Sequence, residues 1–159
     1  NQIYSYPIIG SDSDLGPLRK HNDSALLAIG QLPNSEPRRR LAEHLCQFSY
    51  NFPVLVSPHA VVSRHAQLSP GTTVGHGAVV NAGAIIGKHC IINSMSLVEH
   101  DSVIGDYCHI STGALINGGV SIGSFSFIGS GAVLREGIEL PPCSVVGAGK
   151  RVMTWPMRD

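Results

Sequence analysis

Excess charge is missing from this chain. Its 159 residues carry 11 Lys and Arg against 11 Asp and Glu, so the balance offers no electrostatic footprint for nucleic acid or an anionic membrane surface. Long apolar runs are missing too: none approaches the roughly 18 residues that cross a bilayer. No charged segment followed by an apolar core marks a secretory signal. A Cys-x-x-Cys pair is absent among the four cysteines, which removes the commonest zinc pattern. Cys90 and Cys108 fall in small inward slots of the repeat described next, so they read as buried free thiols of a reducing, cytoplasmic setting. An initiating methionine is absent as well, and the expectation is a piece of a longer chain. The length allows one solenoid and a small companion segment.

What is present is a period of six. From Val56 to Val152 every sixth residue is aliphatic, through Val62, Leu68, Val74 and Val80 onward, with no insertion. Four residues after each sits a mostly small residue, from Ala60 and Ala66 to Ser144. A fixed short period of this kind is the signature of a β-helix solenoid. On a short strand with period two, the aliphatic and the small residue point inward and the residue between them points out. Glycines cluster in the turns at Gly71, Gly77, Gly83, Gly113, Gly119, Gly131, Gly137 and Gly149, where the backbone needs φ > 0 or a close approach. The code resembles the hexapeptide repeat of left-handed parallel β-helices, triangular prisms of three hexads per coil. Residues eighteen apart then stack at a spacing of roughly 4.8 Å.

Residues 1–53 do not follow the code. Tyr6 to Gly10 and Ala25 to Gly30 read as short buried strands closed by glycine, with a polar, turn-rich surface connection between them. The stretch from Asn34 to Phe48 reads as a helix capped by Ser35, with Pro37 in its first turn and Leu41, Leu45 and Phe48 on one face. Residues 53–56 then lead as a strand into the repeat. The expected organisation is a partial α/β domain over 1–53 and a mainly β, left-handed β-helix domain over 54–159.

Stacking by eighteens makes the outward positions legible. Val61, Val79, Leu97, Leu115 and Val133 form a continuous apolar strip on the outside of the prism, which needs a partner. Either residues 1–53 or a tail cover it, or it is a subunit contact in a homotrimer, the usual assembly of such prisms. His100 lies in a turn between Glu99 and Asp101, with Ala82 and Gly118 above and below leaving room for its ring. A carboxylate beside imidazole holds one tautomer and raises basicity, which suits a general base. Thr112, Ser130 and Ala148 form a column of small residues along one edge, smooth enough for an extended pantetheine arm. His109 stands on a different face from the strand before His100. The two histidines therefore share a site most readily across a subunit boundary. His21, His44, His59, His65 and His89 read as solvated surface groups, and His76 as structural or peripheral.

The segment from Asn93 to Ala114, with the pattern NSxxxxEHDxxIGDxxHIxxGA, resembles the bacterial sugar acyltransferases of the left-handed β-helix class. Within these it is most similar to the UDP-4-amino-sugar N-acetyltransferases of the bacillosamine type, with the sialic acid O-acetyltransferases as near relatives. The resemblance covers residues 24–152. It implies that His100 is the base, that Asp101 increases its basicity, and that Gly118 offers its backbone N–H to the thioester oxygen. It also implies that His109, Ser130 and Ala148 contact acetyl-CoA, and that Gly30 lies where the nucleotide domain meets its ligand. Asp12 or Asp14 could match an acidic substrate contact. The family's Gly-x-Gly-Gly-His turn and its C-terminal Gly-x-Pro-Ala segment have no counterpart here, which fits the expectation of a fragment. The implied activity is N-acetylation of a UDP-linked 4-amino-4,6-dideoxy sugar by acetyl-CoA. The alternatives are O-acetylation of a sialic acid-type sugar and a non-catalytic trimeric scaffold. A zinc hydratase of the γ-carbonic-anhydrase type is a further use of such a prism, but three converging imidazoles are needed and the family's five-residue spacing between two of them is absent.

Overall fold

A two-residue strand followed by a four-residue turn repeats along residues 55–152 in the computed structural model, which describes residues 2–31, 33 and 35–156. The strands stack into three parallel sheets of 6, 6 and 5 strands that form the sides of a prism. Face 1 runs from Leu55–Val56 to Val145–Val146, face 2 from Val61–Val62 to Arg151–Val152, and face 3 from Gln67–Leu68 to Glu139–Leu140. Each residue pairs with the one eighteen positions away: Leu97 lies between Val79 and Leu115, and His109 between Ile91 and Phe127. The architecture is the left-handed parallel β-helix that the period implies.

The interior follows the two-position code. Aliphatic residues from Val74 to Val152 form one continuous buried core, in which Ile86, Ile92, Ile110, Ile116 and Ile128 are fully sequestered. Polar members of the small slots are accommodated because each donates to a corner carbonyl: Thr72 to Gly87 at 2.7 Å, Ser102 to Asn117 at 3.0 Å and Ser126 to Gly123 at 2.6 Å. A buried hydroxyl so bonded carries little of the desolvation cost of an orphaned one. The thiols of Cys90 and Cys108 do the same toward Gly105 and Gly123, and all four cysteines are free.

Every sixth residue from Gly71 to Gly149 has positive φ. Glycine occupies all eight turn positions read from the sequence, but His89, Met95, Asp101, Tyr107, Phe125 and Cys143 adopt the same left-handed conformation. That conformation is rare for residues bearing a Cβ, so the coil imposes it on whatever residue falls there.

Residues 2–53 depart from expectation in two places. Tyr6 to Gly10 is not a buried strand: only β2 (Tyr6–Pro7) forms, paired antiparallel with β1 (Gln2–Ile3) in an exposed hairpin. Ala25 to Gly30 forms no strand, and a single parallel bridge joins Ser24 to Asn51. The reason is that this segment's carbonyls are satisfied by a side chain: Arg38 donates to Leu27 and Ile29. The polar connection is exposed at both ends, but Leu15, Gly16 and Leu18 of its short helix α1 (Leu15–Leu18) are half-buried. Helix α2 (Glu36–Gln47) has Pro37 in its first turn and Ser35 at its N-cap, although the Ser35 side chain makes no capping bond. Asn34 and residues 157–159 lie outside the described residues. Ala42 and Leu45 of α2 bury with Leu27 and Tyr50, and Leu41, Phe48, Phe52 and Tyr107 pack around them. Tyr107 belongs to the prism, so the small core bridges the two parts.

His89 corrects the surface assignment. Its ring is buried between Phe52 and Tyr107, at centroid distances of 4.6 and 4.9 Å. The ring also sits over Gly71, where a Cβ would come within 2.2 Å of Nδ1.

Candidate active site

Two edges and one face of the prism hold the residues singled out from the sequence. His100, Asp101 and Gly118 lie on the edge between faces 2 and 3. Ser130 and Ala148 lie, exposed, on the edge between faces 1 and 2. His109 is on face 1. Within one chain face 2 therefore separates the two histidines.

At the first edge, His100 Nδ1 donates to Asp101 Oδ2 at 2.9 Å. This bond raises the His100 pKa above its ordinary value, opposed by desolvation and supported by the charges of Asp101, Glu99 and Glu136. With Nδ1 protonated, Nε2 carries the lone pair. That nitrogen points at Gly118, where a Cβ would intrude to 2.7 Å. Gly83 plays the matching part for the acid: a Cβ there would lie 2.3 Å from Asp101 Oδ1. Glu99, the other neighbouring carboxylate, is occupied by a 2.7 Å bond from Asn81 Nδ2, so the division of labour falls to Asp101. The Gly118 N–H has no partner among the described residues. The arrangement offers a base lone pair on an exposed ring, packed over a buried glycine whose N–H no described residue engages, which suits removal of a proton during attack on a polarised carbonyl.

His109 sits in a different environment. Its side is buried, Nδ1 donates to the Gln31 carbonyl at 2.5 Å, and Nε2 receives Asn93 Nδ2 at 3.2 Å. Burial lowers its pKa, with the nearby Arg38 charge adding to the effect against the Gln31 bond. It is therefore a neutral imidazole with both nitrogens engaged inside the chain. Gly30 is the exposed residue before Gln31, with nothing within 4 Å of a Cβ, so it flanks this contact. Asp12 and Asp14 are exposed, and Asp14 is turned back onto Ser11.

Beside His109, face 1 opens into a groove of about 420 Å³ walled by Leu55, Val56, Pro58 and Ile91, with Ser57, His76 and Asn93 at its margin. His76 is tied to Ser57 by a hydrogen bond. The apolar strip on face 2 is left open: contacts from residues 2–53 run to His89, Tyr107 and His109. Among the described residues that segment does not reach the strip, and Val61 and Leu115 remain 64% and 37% exposed.

Three residues of this region escaped the sequence reading. Gly83 was visible only as a turn. Asn93 was visible only as part of a pattern. Arg38 reads as one of three consecutive arginines on a helix, yet it is 1% exposed. Its spacing of four and seven from Ala42 and Leu45 places it on the apolar face of α2, and that spacing was the available signal.

This geometry defines a hexapeptide-repeat transferase, and the description "bacterial transferase hexapeptide (six repeats)" matches residues 83–118 and 101–136. Among solved structures, the chain is similar to the acetyltransferase domain of PglB from Neisseria gonorrhoeae in complex with acetyl coenzyme A: 30% identity, 96% of this chain and 75% of that one, TM-score 0.87. It is similar to PerB from Caulobacter crescentus in complex with CoA and GDP-perosamine: 31% identity, 96% and 72% coverage, TM-score 0.90. WeeI from Acinetobacter baumannii is 25% identical over 99% of this chain and 80% of that one, with TM-score 0.76. No curated protein sequence matches. The chain belongs to the bacterial sugar acetyltransferases of the bacillosamine type.

Proposed function

We propose that the chain transfers the acetyl group of acetyl-CoA to the amino group of a UDP-linked 4-amino-4,6-dideoxy sugar, with His100 as general base. The observation that carries this reading is the His100 geometry: Nδ1 held by Asp101 at 2.9 Å and Nε2 free over Gly118. Similar structures bound to acetyl coenzyme A and to CoA with GDP-perosamine support the donor and a nucleotide-linked amino sugar as acceptor.

The sugar nitrogen attacks the thioester carbonyl carbon, and His100 Nε2 takes the proton that the nitrogen sheds. The Gly118 N–H stabilises the negative charge developing on the carbonyl oxygen. The carbon–sulfur bond then breaks, and the proton on His100 passes to the departing sulfur. Asp101 keeps the imidazole in the tautomer that this cycle needs and stabilises its charged form. Ser130 and Ala148 line the donor's arm along their edge, His109 borders it on face 1, and Gly30 faces the nucleotide side.

The apolar strip on face 2 closes in a homotrimer. That assembly brings the His100 edge of one copy against the face 1 edge of the next. The decisive assay is acetyl-CoA consumption with UDP- and GDP-linked 4-amino-4,6-dideoxyhexoses and with a sialic acid. The proposal predicts turnover with the UDP-linked amine. Preference for the GDP-linked sugar, which PerB's complex favours as the second reading, would move the nucleotide assignment. Turnover of the sialic acid alone would replace N- by O-acetylation.

A further inference from the structure

The hydrogen bonds around Asn93 have only one consistent direction, and it leaves one amide hydrogen without a partner among the described residues, on a residue that lines the groove. Asn93 Oδ1 accepts from the backbone N–H of Ser94 at 2.7 Å. A backbone N–H is always a donor, so the oxygen of the amide is identified by that bond. The amide nitrogen therefore faces His109 Nε2 at 3.2 Å, and Nε2 must accept. The same result comes from the other end: the Gln31 carbonyl always accepts, so Nδ1 of His109 carries the hydrogen in their 2.5 Å contact. Both ends of the chain agree. One hydrogen of the Asn93 amide is spent on His109. The other has no partner among the described residues, and Asn93 borders the groove of about 420 Å³.

The carbonyl that sets this direction is itself held. Arg38 donates from Nη1 to the Leu27 and Ile29 carbonyls at 2.9 and 2.7 Å and from Nε to the His89 carbonyl at 3.3 Å. Gln31 Nε2 donates to the Tyr107 carbonyl at 2.7 Å. Arg38 thus clamps the segment before Gln31 to the prism from a position that is 1% exposed.

We propose that Asn93 is a specificity-determining residue of the acceptor subsite, donating its free amide hydrogen to a ring hydroxyl oxygen of the amino sugar. His109 and Arg38 are the positioning residues that fix its direction. The proposal rests on the acetyltransfer reading above. The groove's walls of Leu55, Val56, Pro58 and Ile91 suit the hydroxyl-poor side of a 4,6-dideoxyhexose with its C6 methyl, and one margin donor suits the remaining hydroxyl. This makes the groove selective for a sugar that is apolar on one side and bears an oxygen acceptor on the other.

The test compares the wild-type chain with Asn93→Asp and Arg38→Lys. Asn93→Asp keeps the shape of the amide and removes its hydrogens. The expected result is a KM for the amino sugar raised about tenfold, the usual scale of one lost hydrogen bond to substrate, and raised more than the KM for acetyl-CoA, which His109 borders. Nitrogen-15 spectra of the histidine rings should show His109 in wild type as a neutral imidazole protonated at Nδ1. In Asn93→Asp both ring nitrogens should carry a proton, because the Gln31 carbonyl still accepts from Nδ1 and the new carboxylate accepts from Nε2. Arg38→Lys should loosen the tautomer and raise the KM for the sugar more than the KM for acetyl-CoA, which a merely structural role would not do. Wild type that transfers acetyl groups while Asn93→Asp keeps its sugar KM overturns the contact. His109 protonated at Nε2 in wild type overturns the relay. Wild type with no transfer to any amino sugar overturns the acetyltransfer reading, and the contact falls with it.

Discussion

The proposed role of His100 as base depends on two glycines that stand where side chains would obstruct its ring and its Asp101 partner. The Gly118 position has an ordinary backbone conformation, and the three atoms nearest its hypothetical Cβ all belong to the imidazole, with Nε2 at 2.7 Å. Gly118→Ala should therefore fold normally while displacing the ring, lowering kcat by about 10²-fold or more, the lower end of what a general base contributes. Circular dichroism unchanged beside a collapsed turnover number is the expected pair of results. Asp101 acts through pH. The proposed base must be neutral to act, and the pKa of His100 is raised chiefly by the Asp101 bond, so activity should fall as pH drops through that raised value. In Asp101→Asn the pKa moves back toward the ordinary histidine range, and the acid limb of kcat/KM shifts to lower pH. The maximum rate should also drop, by about tenfold, because the tautomer is no longer held. A limb that stays in place would assign the titration to another group.

At the scale of elements, the coils and the N-terminal segment differ in how they are written into the chain. A coil needs only that an aliphatic residue and a small residue recur, and each hexad repeats the message, so strands, faces and stacking partners were legible to the residue. Left-handed turns were legible where glycine stood. They were not at His89, Tyr107 or Phe125, because bulky residues there are held by stacking on their neighbours, at 4.9 Å for His89 on Tyr107 and 5.5 Å for Tyr107 on Phe125. The N-terminal segment has no repetition to average over. Its Ala25–Gly30 stretch has strand composition but bonds to a guanidinium instead of a sheet, a long-range choice that local patterning does not encode. The candidate site divides likewise: His100 and Asp101 were evident from adjacency, whereas Asn93 and Arg38 acquire meaning only through bonds spanning many residues. Burial of His89 and His109 depresses both pKa values, so both bind protons more readily when unfolded. The stability they lend is present above the unfolded histidine value of about 6.5 and is lost as pH falls through the folded values. Hydrogen exchange should accordingly show α2 and residues 25–31 opening on acidification from pH 7 to 5, before the coils do. Protection of α2 that is indifferent to pH would contradict this.

The whole molecule leaves one face unfinished. The N-terminal segment meets face 1 at His109 and the edge between faces 1 and 3 at His89 and Tyr107, and it leaves the strip from Val61 to Val133 open to the proposed second copy. Sedimentation should give a mass near three times the 16.8 kDa of one chain. Val79→Glu together with Leu115→Glu should shift the protein to monomer and abolish activity, since face 2 separates the two edges in a single chain. If the site is shared between copies, mixing inactive His100→Ala chains with inactive His109→Ala chains should restore measurable turnover. Mixtures that form trimers yet stay inactive would contradict a shared site. The core is expected to be sensitive in the ordinary way: Ile116→Ala, at a fully buried position, should cost about 2–5 kcal/mol.

The central claim is that His100 Nε2 removes the proton from the attacking amine, and its most direct test is the turnover number of His100→Ala with acetyl-CoA and a UDP-linked 4-amino-4,6-dideoxy sugar near neutral pH. A fall of about 10²- to 10⁴-fold, with CoA binding retained, is the predicted result. A turnover number equal to wild type would contradict it.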